Sequence, residues 1–156
     1  MEQIVFGGIR VQLLSENMVR LERAGKNGFF DGNTFFIPDR LQYADTHIAW
    51  TQEGNVICFG EYELYLPEGG KRLTGIRLEK NGKRVYTYRK QKNSGELPPL
   101  DKTPDVFALF DCPRISVPEG GYSAERRGEY AVEEGAEDVY LLLCGKDFKM
   151  LRRLYV

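Results

Sequence analysis

The stretch that decides the fold runs Ile76-Arg77-Leu78-Glu79-Lys80-Asn81-Gly82-Lys83-Arg84-Val85-Tyr86-Thr87-Tyr88. Ile76 and Leu78 lead into Asn81-Gly82, and Val85, Tyr86 and Tyr88 follow. An Asn-Gly pair supplies the positive φ angles of a two-residue type I′ turn, whose twist matches that of paired strands. The segment therefore reads as a β-hairpin.

The same grammar extends outward. Upstream, Tyr62, Leu64 and Leu66 alternate against Glu61, Glu63 and Tyr65 until Pro67-Glu68-Gly69-Gly70 turns the chain. His47–Thr51 and Val56–Phe59 flank Glu53-Gly54-Asn55 as another hairpin. Ile9, Val11 and Leu13 alternate with Arg10 and Gln12, which predicts a half-buried strand. After the turn Ser15-Glu16-Asn17, Val19 and Leu21 alternate with Arg20 and Glu22. Ala24–Asn33 reads as a glycine-bearing loop, and Thr34–Ile37 as a short β-prone run halted by Pro38. Downstream, Gln91–Pro104 is a polar loop of a length that is often functional. Val106–Phe110, Glu129–Val132 and Val139–Cys144 read as strands, the last apolar throughout and so buried on both faces. Only the end looks helical, with Asp147 as cap and Phe148, Leu151, Leu154 and Tyr155 on one face. That helix has no Gly or Asn cap and no polar tail, which predicts a chain cut before its natural continuation. Roughly ten short strands and one terminal helix predict an all-β antiparallel sandwich.

Composition bounds the function. A chain of 156 residues is one domain by default. Lys+Arg 22 against Asp+Glu 23 leaves no bulk basic field, so no nucleic-acid partner is expected. No apolar run is long enough to span a bilayer, and no signal peptide is visible, so no membrane is expected. The three cysteines, Cys58, Cys112 and Cys144, form no Cys-x-x-Cys pair, which fits inert thiols in a reducing cytoplasm. A single histidine excludes a histidine-based metal site within one chain, and no metal or cofactor is expected.

Motifs that carry chemistry are scarce. Gly69-Gly70-Lys71-Arg72 lacks the first glycine and the hydroxyl of a phosphate-binding loop and reads as a turn. His47 is the one base available to a Ser–His–Asp triad, yet it reads as a strand histidine beside Trp50. Glu133–Asp138 is most simply a solvated acidic turn. The basic runs Lys80–Arg84 and Arg89–Lys92 read as a charged hairpin face rather than a track for single-stranded nucleic acid. Tyr62, Tyr65, Tyr86 and Tyr88 offer either a sugar-stacking face or half-buried strand aromatics. No catalytic residue is singled out.

Two stretches nevertheless resemble a known family. Gly8–Glu22, continuing to Phe30-Asp31, Thr34 and Arg40, is similar to the start of the N-terminal domain of glycoside hydrolase family 31. There a Ser-Pro-Asn style turn and an Arg-bearing strand precede Phe-Glu-Asp-Arg-x-Thr and Asn-Arg. This chain departs with Glu16 for the proline, Gly32-Asn33 after Asp31, and Asp39 before Arg40. Asp138–Tyr155 is similar to the family's Asp-x-Tyr-x-Phe-x-x-Gly-x-Asp-Tyr-x-x-x-Leu-x-x-Phe/Tyr, the last sandwich strand and the helix leading to the catalytic barrel. Phe110-Asp111-Cys112-Pro113-Arg114-Ile115 looks like an Asp-Ser-Pro-Arg variant of some members.

The resemblance implies a galactose-mutarotase-like sandwich over residues 1–156, truncated before a (β/α)8 barrel. It implies the non-catalytic N-terminal domain of a retaining α-glycosidase, which hydrolyses O-glycosyl bonds of α-glucosides or α-xylosides. The two catalytic aspartates of the family lie on the barrel, so this chain alone is expected to be inactive. Its expected partners are its own barrel and an α-linked oligosaccharide. A loop over the active-site mouth would come from Gln91–Pro104 or Asp111–Arg114. Asp111 would accept hydrogen bonds from sugar hydroxyls and Arg114 would orient it; the alternative is a structural pair at a bulge. The competing readings are a free-standing carbohydrate-binding module using the sheet tyrosines, and a sandwich scaffold with no sugar ligand.

Overall fold

The structure, a computed structural model, describes residues 1–32, 37, 39–89, 105–110 and 137–143. The described residues form ten strands: β1 (Glu2–Phe6), β2 (Ile9–Ser15), β3 (Met18–Arg23), β4 (Trp50–Glu53), β5 (Val56–Phe59), β6 (Tyr62–Tyr65), β7 (Arg77–Lys80), β8 (Lys83–Thr87), β9 (Phe107–Phe110) and β10 (Glu137–Leu142). They make two antiparallel five-stranded sheets, in the orders β1-β2-β3-β10-β9 and β4-β5-β6-β7-β8. This is an all-β architecture consistent with a β-sandwich. The helical pieces among the described residues are two single turns, Arg40–Tyr43 and Glu68–Gly70.

The second sheet is a meander of hairpins, each set by its turn. Asn81 and Gly82 take φ of 51° and 81°, as a type I′ turn requires, and Lys80 pairs with Lys83 across it. Gly54 takes φ 59° at the β4–β5 turn. In the first sheet β10 lies between β3 and β9, so a segment more than a hundred residues downstream completes the N-terminal hairpin. One core spans both sheets. Val11, Leu21 and Val139 from the first meet Ile57, Leu64 and Leu78 from the second, all fully buried. This is the alternation read in the sequence, with every second strand residue facing inward.

Four of the sequence expectations change. Glu137 and Asp138, read as the end of a solvated acidic turn, open β10, and Asp138 is buried because Arg20 pairs with it. Strand β1 precedes the first strand read from the sequence and edges the first sheet. His47 lies in a loop before β4, not in a strand; it is 76% exposed and meets Glu2. Strand β2 is buried on both faces rather than one, because Phe30, Gly32, Ile37 and Arg40, in the described residues 24–32, 37 and 39–45, lie against the polar side of the sheet. We call these residues the strap; residues 33–36 and 38 lie outside the described residues. The strand read at Glu129–Val132, the loop at Gln91–Pro104 and the terminal helix also lie outside them.

The sheets are tied at one corner by a close backbone approach. The Gly8 amide donates to the Gly70 carbonyl at 2.8 Å. Gly70 sits at φ 61°, and a side chain there would run into the Phe6 carbonyl oxygen and ring. Gly54 has the same left-handed backbone but nothing within 4 Å of its missing side chain. Both would carry the left-handed penalty of about 1–2 kcal/mol as alanine. Only Gly70 would add overpacking, about 1–3 kcal/mol more. Gly70→Ala should therefore lower the urea-unfolding free energy by about 2 kcal/mol more than Gly54→Ala. Equal losses would show that the corner is not tightly packed.

Candidate functional site

The outer face of the first sheet carries the densest cluster of ionisable groups among the described residues. Strand register sets them in two rows. Arg10 on β2 pairs with Glu22 on β3, and Glu22 with Asp138 on β10. One step along, Gln3 pairs with Gln12, Gln12 with Arg20, and Arg20 with Tyr140. All share one face because successive side chains alternate across a sheet.

Arg20 is the centre. Its side chain, like those of Glu22 and Asp138, is 0% exposed. Its Nε donates to Asp138 Oδ1 at 3.1 Å, and its Nη2 lies 2.9 Å from the same oxygen and 3.0 Å from Glu22 Oε2. Its Nη1 donates to Gln12 Oε1 and to the Phe30 carbonyl, both at 2.9 Å. Burial pulls the Arg20 guanidinium's pKa down, but Asp138, Tyr140 and Glu22 outweigh it and hold it above its ordinary value. A cation with a raised pKa contributes stability at every pH below its unfolded value, so this contact persists across the whole neutral range.

The strap plugs into this cluster through its backbone. The Phe30 amide donates to Glu22 Oε2 at 2.7 Å, while its carbonyl accepts from both Arg10 and Arg20. Arg10 also donates to Glu22 Oε1 at 2.9 Å, lies over the Phe29 ring and pairs with Asp31, which is 74% exposed. Further along, Arg40 donates to the Gly32 carbonyl at 2.8 Å and to the Tyr140 hydroxyl at 2.9 Å. Beyond the charges, Leu14, Ile37 and Tyr140 form a small apolar cluster under the strap. The cluster is closed, and its charged groups are occupied by one another and by the strap. Its chemistry is positional: it fixes an irregular segment over a sheet face.

The N-terminus adds a second tie. The Met1 ammonium donates to the Ala44 carbonyl at 2.7 Å. Glu2 bridges His47 Nδ1 and Trp50 Nε1, each at 3.1 Å, and those hydrogen bonds hold its carboxyl below the ordinary value. This places His47 as a partner of a single carboxylate at an exposed corner.

The four strand tyrosines do not share a face. Tyr62, Tyr86 and Tyr88 pack with the core, and the Tyr88 hydroxyl donates to Glu137 at 2.7 Å. Tyr65 alone points outward, donating to Glu63, with the Arg77 guanidinium 3.9 Å over its ring. Asp111 and Arg114, the substrate-contacting residues expected from the sequence, lie outside the described residues. So do Cys112 and Cys144; Cys58 is half-buried and in no disulfide. Among the described residues no group of His, Cys, Asp and Glu could hold a metal ion, and no helix is long and apolar enough to cross a membrane.

Sequence reading took Arg10, Gln12, Arg20 and Glu22 as a solvated face. A signal for burial was present. Three strands of the sheet each carry polar groups two residues apart: Arg10 and Gln12, Arg20 and Glu22, Asp138 and Tyr140. The third of these strands is apolar enough to be buried on both sides. No protein-family model matches the chain, and no curated protein matches it.

Of the four buried side-chain polar atoms of the described residues that make no hydrogen bond, Arg20 Nη2, Arg40 Nη1 and Asp138 Oδ2 belong to charged side chains paired through other contacts, and one stands apart. The Tyr86 hydroxyl is enclosed without a hydrogen-bond partner, and burial pushes its pKa up to about 12. Removing an unsatisfied hydroxyl while keeping the ring relieves a desolvation penalty. Tyr86→Phe should raise unfolding stability by about 1 kcal/mol at neutral pH. A group whose folded pKa is raised loses its contribution as pH climbs from the unfolded value of 10.0 toward the folded one. The wild-type chain should therefore lose stability relative to Tyr86→Phe over that alkaline range, followed by urea unfolding and tyrosinate absorbance. A destabilised Tyr86→Phe would mean that the hydroxyl has a partner.

Proposed function

We propose that this chain is a non-catalytic N-terminal domain of galactose-mutarotase-like type from a retaining α-glycosidase of glycoside hydrolase family 31. Its role is to pack on a catalytic barrel and to present a loop at the substrate pocket. One observation carries the reading: the residues that bear the resemblance converge. Arg20 and Glu22 from the first stretch, Phe30, Asp31 and Arg40 from its continuation, and Asp138 and Tyr140 from the second all belong to one bonded cluster.

In this reading the buried ion cluster makes the sandwich a rigid base, and the bond-breaking carboxylates belong to the barrel. Asp111 and Arg114 are the residues proposed to contact an α-linked oligosaccharide, with Asp111 accepting from hydroxyls. Tyr62, Tyr86 and Tyr88 pack with the core and only Tyr65 points outward, so the four rings form no common stacking face for an independent sugar-binding module.

The test is hydrolysis. The 156-residue chain should release no p-nitrophenol from p-nitrophenyl α-glucoside or α-xyloside. The whole encoded protein, carrying a barrel that begins after the family's Leu-Thr-Gly, should hydrolyse one of them. Turnover by the 156-residue chain alone, or an encoded protein with no barrel, would overturn the assignment.

A further inference from the structure

The described residues contain two Asn-Gly pairs, Asn27-Gly28 and Asn81-Gly82. Glycine has no β-carbon to obstruct its own nitrogen, so in such a pair that nitrogen can close on the preceding carboxamide. The fold treats the two pairs differently. The Gly28 amide donates to the Gly25 carbonyl at 3.0 Å, and the Gly25 amide returns a bond to Gly28 at 3.1 Å. This small bridge opens the strap, two residues before Phe30 enters the buried cluster. The nitrogen of Gly28 is thus engaged, in a segment held on both sides.

Gly82 is in the opposite situation. Its amide makes none of the turn and loop hydrogen bonds of the described residues, and nothing lies within 4 Å of where its side chain would start. Asn81 and Gly82 are both exposed, and the Asn81 carboxamide is held only by a 3.4 Å bond to Glu61 Oε1. Lys80 and Lys83 face each other across the turn, and Arg84 follows. Glu61, 3.8 Å from Lys80, and Glu79, opposite Arg84, offset part of this charge, and the cations left in excess favour ionisation of the Gly82 amide, the form that attacks.

We propose that Asn81-Gly82 is a self-modification site with water as its only co-reactant, and that Asn27-Gly28 is shielded from the same reaction by its bridge. The Gly82 nitrogen bonds to Asn81 Cγ, the Cγ–Nδ2 bond breaks, and ammonia leaves with the proton that the Gly82 nitrogen gave up. Water then opens the cyclic imide. Attack at Cγ gives aspartate, and attack at the main-chain carbonyl gives isoaspartate, whose backbone runs through Cβ and Cγ. Nothing is oxidised or reduced. Either product sets a carboxylate beside Glu61, where an amide had donated. Isoaspartate also lengthens a two-residue turn that fixes the register of β8, an edge strand of its sheet. The modified hairpin is therefore looser.

The experiment ages the folded chain at neutral and mildly alkaline pH and maps its peptides by mass spectrometry, beside a sample kept in denaturing urea. Asn81 should convert in the folded chain, faster at higher pH, while Asn27 stays intact; in urea both should convert. Gly82→Ala, whose methyl group meets open space and which carries only the left-handed strain already described for Gly54→Ala, should suppress conversion at Asn81 without unfolding the chain. The more acidic aged fraction should exchange its Lys83–Thr87 amides faster than the fresh chain. Equal conversion of Asn27 and Asn81 in the folded chain would overturn the proposal. So would an Asn81 that converts only in urea, and unchanged exchange in β8 would overturn the loosening.

Discussion

A guanidinium held away from water between two carboxylates is the constraint around which the first sheet is arranged. Taking Arg20, Glu22 and Asp138 out of water carries a penalty of several kcal/mol per ion, and their mutual attraction offsets it only if every remaining polar atom finds a partner. That requirement reaches far along the chain. It needs β10 beside β3, because Asp138 is 118 residues from Arg20. It needs Gln12 from β2, and it needs the backbone of Phe30 to supply one donor and one acceptor. The strap is therefore held by polar satisfaction of the sheet face below it, and strand, register and loop stand or fall together.

Much of the fold is legible in the sequence wherever a local rule acts. Asn81-Gly82 and Gly54 mark turns because few residues adopt positive φ, and the apolar run at β10 marks two-sided burial. The misreadings come from tertiary facts that no local rule contains. Arg10 and Gln12 alternate with apolar neighbours as solvent-facing residues do, and only the strap, with Glu22, makes their burial tolerable. His47 lies in a β-prone context, yet Glu2 draws it to a loop corner. Tyr62, Tyr86 and Tyr88 read as either stacking or core residues, and the pairing of Leu78 with Tyr86 turns that strand's ring inward. The candidate site was half visible: its charged residues were all quoted in the two motif-like stretches, while their bonding to one another required the closed sheet.

This division of labour bears on function. Among the described residues the charged side chains of this cluster are paired with one another and with the strap, which fixes how the strap sits on the sheet. A buried ionic cluster is weak evidence for high stability, since replacing it whole by apolar side chains is often neutral or stabilising, whereas removing one partner strands a charge. An irregular strap fixed in this way is compatible with the role proposed above.

The direct test of this account is a double-mutant cycle between Arg20→Met and Asp138→Leu, read by urea unfolding. Each single substitution leaves a buried charge uncompensated and should lower stability by about 3–5 kcal/mol. The double variant removes the stranded charges on both sides and should lose at least about 1 kcal/mol less than the sum of the two, within the coupling range of contacting residues. Additivity within about 0.5 kcal/mol would show that the two side chains do not depend on each other, and the cluster could not then be what joins the ends of the chain.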